Sequence, residues 1–262
     1  MTSAADGPSD VDSTHYENRR TSFGEVAAAY ADLRPDWPAA TADWLVGADL
    51  RPGGRRPLDV LDLGAGTGKL TSTLVAAGHR VVAVDASEQM LAELRRSVPQ
   101  ADARPGTAEQ IPVDDASQDA VSVAQAWHWF DEAAAAAECA RVLRPGGVLG
   151  IGWHIRDEAV PWVAELAEAV GRSGDSTSSR RDGDLALPAP FGPVEHAVFD
   201  YVLTTTPEGL RDLADTWSYV YLAPDRQARL DAVLDLGRRA ARPDGTLIVP
   251  HVTRCYRAVR VR

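Results

Sequence analysis

Asp62, Gly64, Gly66, Gly68 and Asp85 stand at intervals that suit the grip of a nucleoside with a charged tail. Val60 to Thr71 read V-L-D-L-G-A-G-T-G-K-L-T, and Val81 to Asp85 follow as V-V-A-V-D. Val60, Leu61 and Leu63 form a short apolar run suited to a strand covered on both faces, and the glycines let the backbone turn sharply beside a ligand. From Lys69 the spacing becomes helical, with Leu70, Leu74 and Val75 on one side and Gly78 as the stop. That helix starts at the turn, so its unbonded N–H groups and positive end face the ligand. Asp85, seventeen residues beyond Gly68, falls at the carboxyl end of the next strand. A carboxylate there accepts both hydroxyls of a ribose.

The glycine spacing separates the candidate nucleosides. Dinucleotide sites carry G-x-G-x-x-G, whereas this chain reads G-x-G-x-G with an acid, Asp62, two residues ahead. The latter pattern resembles motif I of class I S-adenosylmethionine-dependent methyltransferases. The resemblance extends over most of the chain. Gly106 to Pro112, G-T-A-E-Q-I-P, resembles the family segment that passes beside the adenine after the third strand. Ala120 to Phe130, A-V-S-V-A-Q-A-W-H-W-F, resembles the fourth strand and its aromatic sequel, and Arg141 to Gly147 the turn into the fifth strand. The H-W-F-D of His128 to Asp131 is similar to the small-molecule group of trans-aconitate and ubiquinone or menaquinone methyltransferases. Tyr30 to Pro38 resembles that group's N-terminal lid.

The resemblance implies S-adenosyl-L-methionine as cofactor and assigns it residues. Gly64, Ala65 and Gly66 present backbone to the methionine part, Asp62 orients that loop and its ammonium partner, and Gln125 sits below the methionine chain. Asp85, with Ala86 beside it, holds the ribose; Ala108 and Glu109, with Thr107, lie near the adenine. Tyr30 and Arg34 fall over the cofactor, where Arg34 could meet its carboxylate; the alternatives are a packed helix residue and a surface charge.

A sulfonium methyl is already activated, so an in-line displacement chiefly needs an acceptor about 3 Å away and water excluded. A base is needed only if the acceptor must lose a proton. His128, after the fourth strand, and His154, at the end of the fifth, are the candidate catalytic residues, both expected over the methyl. The competing reading packs His128 among its aromatic neighbours, and many of the similar proteins carry Asn in the W-x-x-R-D setting of His154. Trp127, Trp129 and Trp153 are either ordinary core or the lining of a substrate pocket for a flat or apolar acceptor.

The elements that position these residues alternate. Strands Asp59 to Leu63, Arg80 to Val84, Ala101 to Arg104, Ala120 to Ala124 and Val148 to Trp153 are separated by helices. Two of those helices are capped by Ser87 and Asp131. This predicts an α/β fold with a doubly wound, mostly parallel sheet, Rossmann-like, whose ligands bind beyond the carboxyl ends of the strands. The family resemblance raises the strand count to seven, one antiparallel, and adds a helical N-terminal lid and a cap insertion. Residues 1–20 read as a disordered tail and 21–262 as one domain. Within it, 21–56 form the lid, 57–153 the cofactor core, 154–240 the cap with late core elements, and 241–262 a closing strand or hairpin. Phe23 to Tyr30 and Ala39 to Ala48 read as lid helices, and Gly171 to Asp184 as a flexible loop.

A chain of 262 residues supports one decorated domain. The net charge of −11 opposes nucleic-acid binding, and no apolar span suggests a membrane partner. Cys139 and Cys255 lack metal-ligand spacing, so no metal is expected, and the chain reads as cytoplasmic. The expected partner is a small-molecule acceptor methylated at oxygen, nitrogen or carbon; oligomeric state is not encoded legibly. Alternatives are the same fold binding S-adenosylmethionine without methyl transfer, as a binding protein or a catalyst of rearrangement or cyclisation, and an NAD(P)-dependent oxidoreductase.

Overall fold

The computed structural model describes residues 36–51, 57–172 and 185–261. Among these residues the apolar runs form seven strands: β1 (Asp59–Leu63), β2 (Arg80–Asp85), β3 (Asp102–Pro105), β4 (Gln118–Ala124), β5 (Leu143–Arg156), β6 (Glu195–Thr205) and β7 (Leu247–Val259). They make one sheet in the order β3-β2-β1-β4-β5-β7-β6. The first five are mutually parallel and β7 runs antiparallel to both neighbours. β1 and β4 are central and almost wholly buried, as continuous apolar runs require. The sheet is thus the mostly parallel, doubly wound one expected.

The helices are α1 (Ala39–Leu45), α2 (Lys69–Ala76), α3 (Glu88–Ser97), α4 (Glu132–Val142), α5 (Pro161–Ala169), α6 (Pro207–Asp215), α7 (Ser218–Tyr221) and α8 (Arg226–Ala240). Their ends follow the predicted chemistry. Asp131 Oδ1 accepts from the N–H groups of Ala133 and Ala134 at 3.0 and 3.1 Å, and Ser87 Oγ from Met90 N–H at 3.4 Å. Gly78, at φ 85°, closes α2 while His79 N–H reaches the Leu74 carbonyl.

Several boundaries differ from expectation by a few residues. β5 starts at Leu143 rather than Val148 because the end of β7 draws the predicted turn into the ladder: Gly146 N–H bonds Arg260 O and Arg260 N–H bonds Gly147 O. The closing segment, expected as a strand or a hairpin, is a single strand paired with β5 on one side and β6 on the other. The expected tail 1–20, the helix Phe23 to Tyr30 and most of the loop Gly171 to Asp184 lie outside the described residues. No described helix is long and apolar enough to cross a membrane.

Apolar packing falls into separate bodies. One fills the sheet between α4 and the β4–β5–β7 strands, with Val123, Trp127, Leu149, Trp153 and Tyr256. A second lies within α5, α6, α7 and α8, around Leu166, Leu213, Trp217, Leu230 and Val233. Leu247 and Val249 of β7 join it, so the expected cap region shares this core with the sheet. On the opposite sheet face, Gly150 and Gly152 of β5 make room for the segment before β1. A Cβ on Gly150 would run into the Leu45 backbone, and one on Gly152 would lie 2.9 Å from the Trp37 ring. Arg257 of β7 fastens the same segment, bonding both oxygens of Asp49 at 2.5 and 3.0 Å while its guanidinium covers Trp44.

Because backbone cannot retreat as a side chain can, Gly150→Ala should destabilise the fold by about 1–3 kcal/mol. Urea unfolding checks this as a lowered midpoint at unchanged slope. A midpoint equal to that of the unmodified chain would refute the close approach.

Candidate active site

The turn between β1 and α2 is left-handed at each glycine, with φ of 70° at Gly64, 56° at Gly66 and 90° at Gly68. A Cβ on Gly64 would meet the Ala126 Cβ at 2.6 Å, whereas one on Gly66 would meet nothing within 4 Å. Gly64 is therefore demanded by packing and backbone, and Gly66 by backbone beside open space. The N–H groups of Gly64 and Ala65 bond the Val84 carbonyl at 2.8 and 3.0 Å. One residue on, Asp85 takes over: its Oδ2 accepts from Gly66 N–H at 2.8 Å and its Oδ1 from Ser87 N–H at 2.8 Å. The carboxylate expected to face a ribose is thereby fixed in position between the two strand ends.

A cleft of about 190 Å³ opens there, at the carboxyl ends of the parallel strands. Of the residues expected around a nucleoside, Gly64, Gly66, Asp85, Ala86, Thr107, Ala108, Glu109 and Gln125 line it. Ser87, Met90, Ala126 and Phe130 line it as well. Nothing in the glycine pattern singles these out, although Met90 follows from the Ser87 cap by one helical turn and Phe130 sits within the H-W-F-D segment. Tyr30 and Arg34 lie outside the described residues. Gln125 adopts φ 60°, a left-handed conformation that disfavours a side chain. Two bonds hold it, from its N–H to Gly152 O at 2.9 Å and from Nε2 to His154 O at 3.0 Å.

Asp62 lies beneath the turn and is only 1% exposed, outside the cleft lining. Thr71 Oγ1 donates to its Oδ2 at 2.6 Å, tying β1 to α2, and Oδ1 has no hydrogen-bond partner. Burial pushes its carboxyl up to about 7, against the Thr71 hydrogen bond and with help from the charge of Asp85. Ala65 likewise contributes its backbone to the turn without lining the cleft.

The aromatic residues divide. Trp129 lines the cleft. Trp127 is fully buried, edge-on to Phe130 in the main core, and does not line the cleft. Trp153 is also a core residue, and its Nε1–H points at His128 Nδ1 at 3.3 Å. In that contact the indole N–H donates and the ring nitrogen accepts through its lone pair. His154 is adjacent to Trp153 on β5 and so projects from the other face of the sheet. Strand alternation thus separates the two histidines that were expected together over one point. His154 packs against Trp37 and Tyr201, with centroids at 4.1 and 4.7 Å, and its Nδ1 lies 2.7 Å from Thr253 Oγ1. Burial pushes it down to about 3, and His251 beside it, also buried, to about 4.

Comparison with known proteins gives a consistent result. Residues 61–151 match the family described as a methyltransferase domain. An uncharacterized methyltransferase of Mycobacterium tuberculosis is 47% identical over 241 residues, 90% of this chain and 95% of that protein. A protein of Mycolicibacterium smegmatis, named as a probable S-adenosylmethionine-dependent methyltransferase, is 40% identical over 215 residues, 71% of this chain and 82% of its own. A solved structure from Anaeromyxobacter dehalogenans, provisionally described as a type II methyltransferase, superposes with a TM-score of 0.68 at 27% identity, covering 87% of this chain and 97% of that one.

The buried acid makes a prediction about pH. The folded protein keeps a proton on Asp62 up to about pH 7, whereas an unfolded carboxyl releases it near 3.8. Between those values the folded state binds more protons, so this contribution to stability falls as pH rises through that window and stays lost above it. His154 and His251, held neutral, act in the opposite sense and lose their contribution as pH falls below their ordinary 6.5. Asp62→Asn isolates the acid, because Asn still accepts from Thr71 and never ionises. Its stability relative to the unmodified chain should be higher at pH 8 than at pH 5, by on the order of a few kcal/mol at most. Chemical denaturation at the two pH values checks this, and a difference independent of pH would rule out the protonated carboxyl.

Proposed function

The chain belongs to the class I S-adenosylmethionine-dependent methyltransferases, and on that premise we propose that it transfers a methyl group to oxygen, nitrogen or carbon of a small organic acceptor, mainly by positioning. The observation that carries the reading is the joint at Gly66. Its N–H is held by Asp85 while its unoccupied side borders open space, so carboxylate and bare backbone face the same volume. Asp85 accepts a backbone N–H at each oxygen, and a carboxylate oxygen can accept more than one hydrogen bond, which fits the paired hydroxyls of a ribose. Gly64 and Gly66 would border the methionine part, with Ala65 shaping the turn and Asp62 bracing it from below. Ala86, Thr107, Ala108 and Glu109 would enclose the base, and Gln125 the methionine chain.

When bound, S-adenosylmethionine supplies an electrophilic methyl: an acceptor lone pair forms the new bond to carbon, the carbon–sulfur bond breaks, and its electron pair returns to sulfur. The protein's own part is to align the acceptor and keep water out. His154 is a poor base, because a ring pushed down to about 3 by burial has too little affinity for a proton at neutral pH. We assign it to a wall. We assign His128, which meets Trp153 just beyond the fourth strand, to orienting the acceptor; the acceptor's own proton leaves to solvent as the product is released.

Two outcomes are expected. Asp85→Ala should weaken S-adenosylhomocysteine binding by about a hundredfold by calorimetry, the worth of a pair of charge-assisted hydrogen bonds. Unchanged affinity would overturn the ribose assignment. His128→Ala should lower turnover with that affinity nearly intact. Turnover is read by mass spectrometry, as S-adenosylhomocysteine together with a product heavier by one methylene. Tight binding of the cofactor with no such product across a broad acceptor panel would refute transfer itself.

A further inference from the structure

Two residues beyond His154, β5 ends on Arg156, where the sheet meets the helices of the second core. Residues two apart on a strand share a face. Arg156 therefore lies on the same face as His154, whose backbone carbonyl the Gln125 amide holds. Its guanidinium lies 4.2 Å from the centroid of the Trp217 ring. Both terminal nitrogens reach one phenol oxygen, Tyr219 Oη, at 3.4 and 3.3 Å. These are long contacts to a neutral group, and Nε is buried with no partner at all.

Tyr219 is held for this role from several sides. Its ring stacks on Trp217 at 5.8 Å, Arg172 lies over it at 4.9 Å, and Arg229 holds its carbonyl at 3.2 Å. Several other arginines in the fold show what Arg156 lacks. Arg141 pairs with Glu138 and Asp115, Arg226 with Asp215, and Arg257 with Asp49 and Glu195. Among the described residues no ion pair includes Arg156, in a chain that carries 38 acidic side chains against 27 basic ones. A partly buried cation without counter-charge is costly, and a guanidinium offers five donors in a planar fork. A carboxylate fills two of them at once.

We propose that Arg156 holds the carboxylate of an acidic acceptor, with Trp217 and Tyr219 fixing the fork, so that the molecule is anchored at one end and turned toward Gln125 at the other. The word acceptor rests on the transferase reading; the carboxylate site does not. The test is calorimetric titration of the full chain with 4-hydroxybenzoate, indole-3-acetate and succinate, each against its amide, with and without S-adenosylhomocysteine. At least one acid should bind about tenfold or more tightly than its amide. Arg156→Gln should abolish that preference while S-adenosylhomocysteine affinity stays within about twofold. Arg156→Lys keeps the charge without the fork and should retain only part of the preference, which also guards against misfolding of the Gln variant. Acids and amides binding alike, or a preference that survives Arg156→Gln, would overturn the proposal. Preference for acids in a chain that fails to bind S-adenosylhomocysteine would sink the transferase reading and leave the carboxylate site standing.

Discussion

The bond from Gly66 N–H to Asp85 Oδ2 is the joint on which the cleft depends. It links the first strand–helix turn to the end of the second strand, and it fixes both partners in conformations they would otherwise leave. A left-handed glycine gains a defined orientation, and a carboxylate loses its rotational freedom before any ligand arrives. The turn's other contacts reinforce this: Gly64 and Ala65 bond the residue before Asp85, and Ser87 bonds its second oxygen. Pre-organisation here is a property of backbone donors, which cannot be lost by rotamer change.

Around this joint the sheet divides labour by face. On one face of β5, Trp153 belongs to the main core and reaches His128. On the other, Gly150 and Gly152 admit Leu45 and Trp37, and His154 packs under Trp37. The same strand thus serves the main core on one face and the segment before β1 on the other because its side chains alternate.

Much of this was legible in residue order. The strand–glycine–helix unit, the acid at the end of β2, the caps at Ser87 and Asp131 and the stop at Gly78 are local signals, each read from a few neighbours. The site residues from Gly64 to Gln125 were reachable for the same reason, since parallel strands bring successive carboxyl ends together. What escaped was relational. Nothing local distinguishes Trp127, fully buried, from Trp129 in the cleft two positions away, because a short 3₁₀ turn over Trp127–Trp129 decides it. The separation of His128 from His154 depends on strand phase, and the extension of β5 on a partner more than a hundred residues later. The glycine alternation at 150 and 152 is visible in sequence, but its meaning requires knowing that a helix lies against it.

The helices around Leu213, Trp217 and Val233 enclose an apolar body distinct from the one that supports the nucleoside cleft. Descent can therefore rework one without paying in the other. Substitutions among those helices leave the packing beneath the cleft in place, so a lineage built on this plan can vary one half at a time.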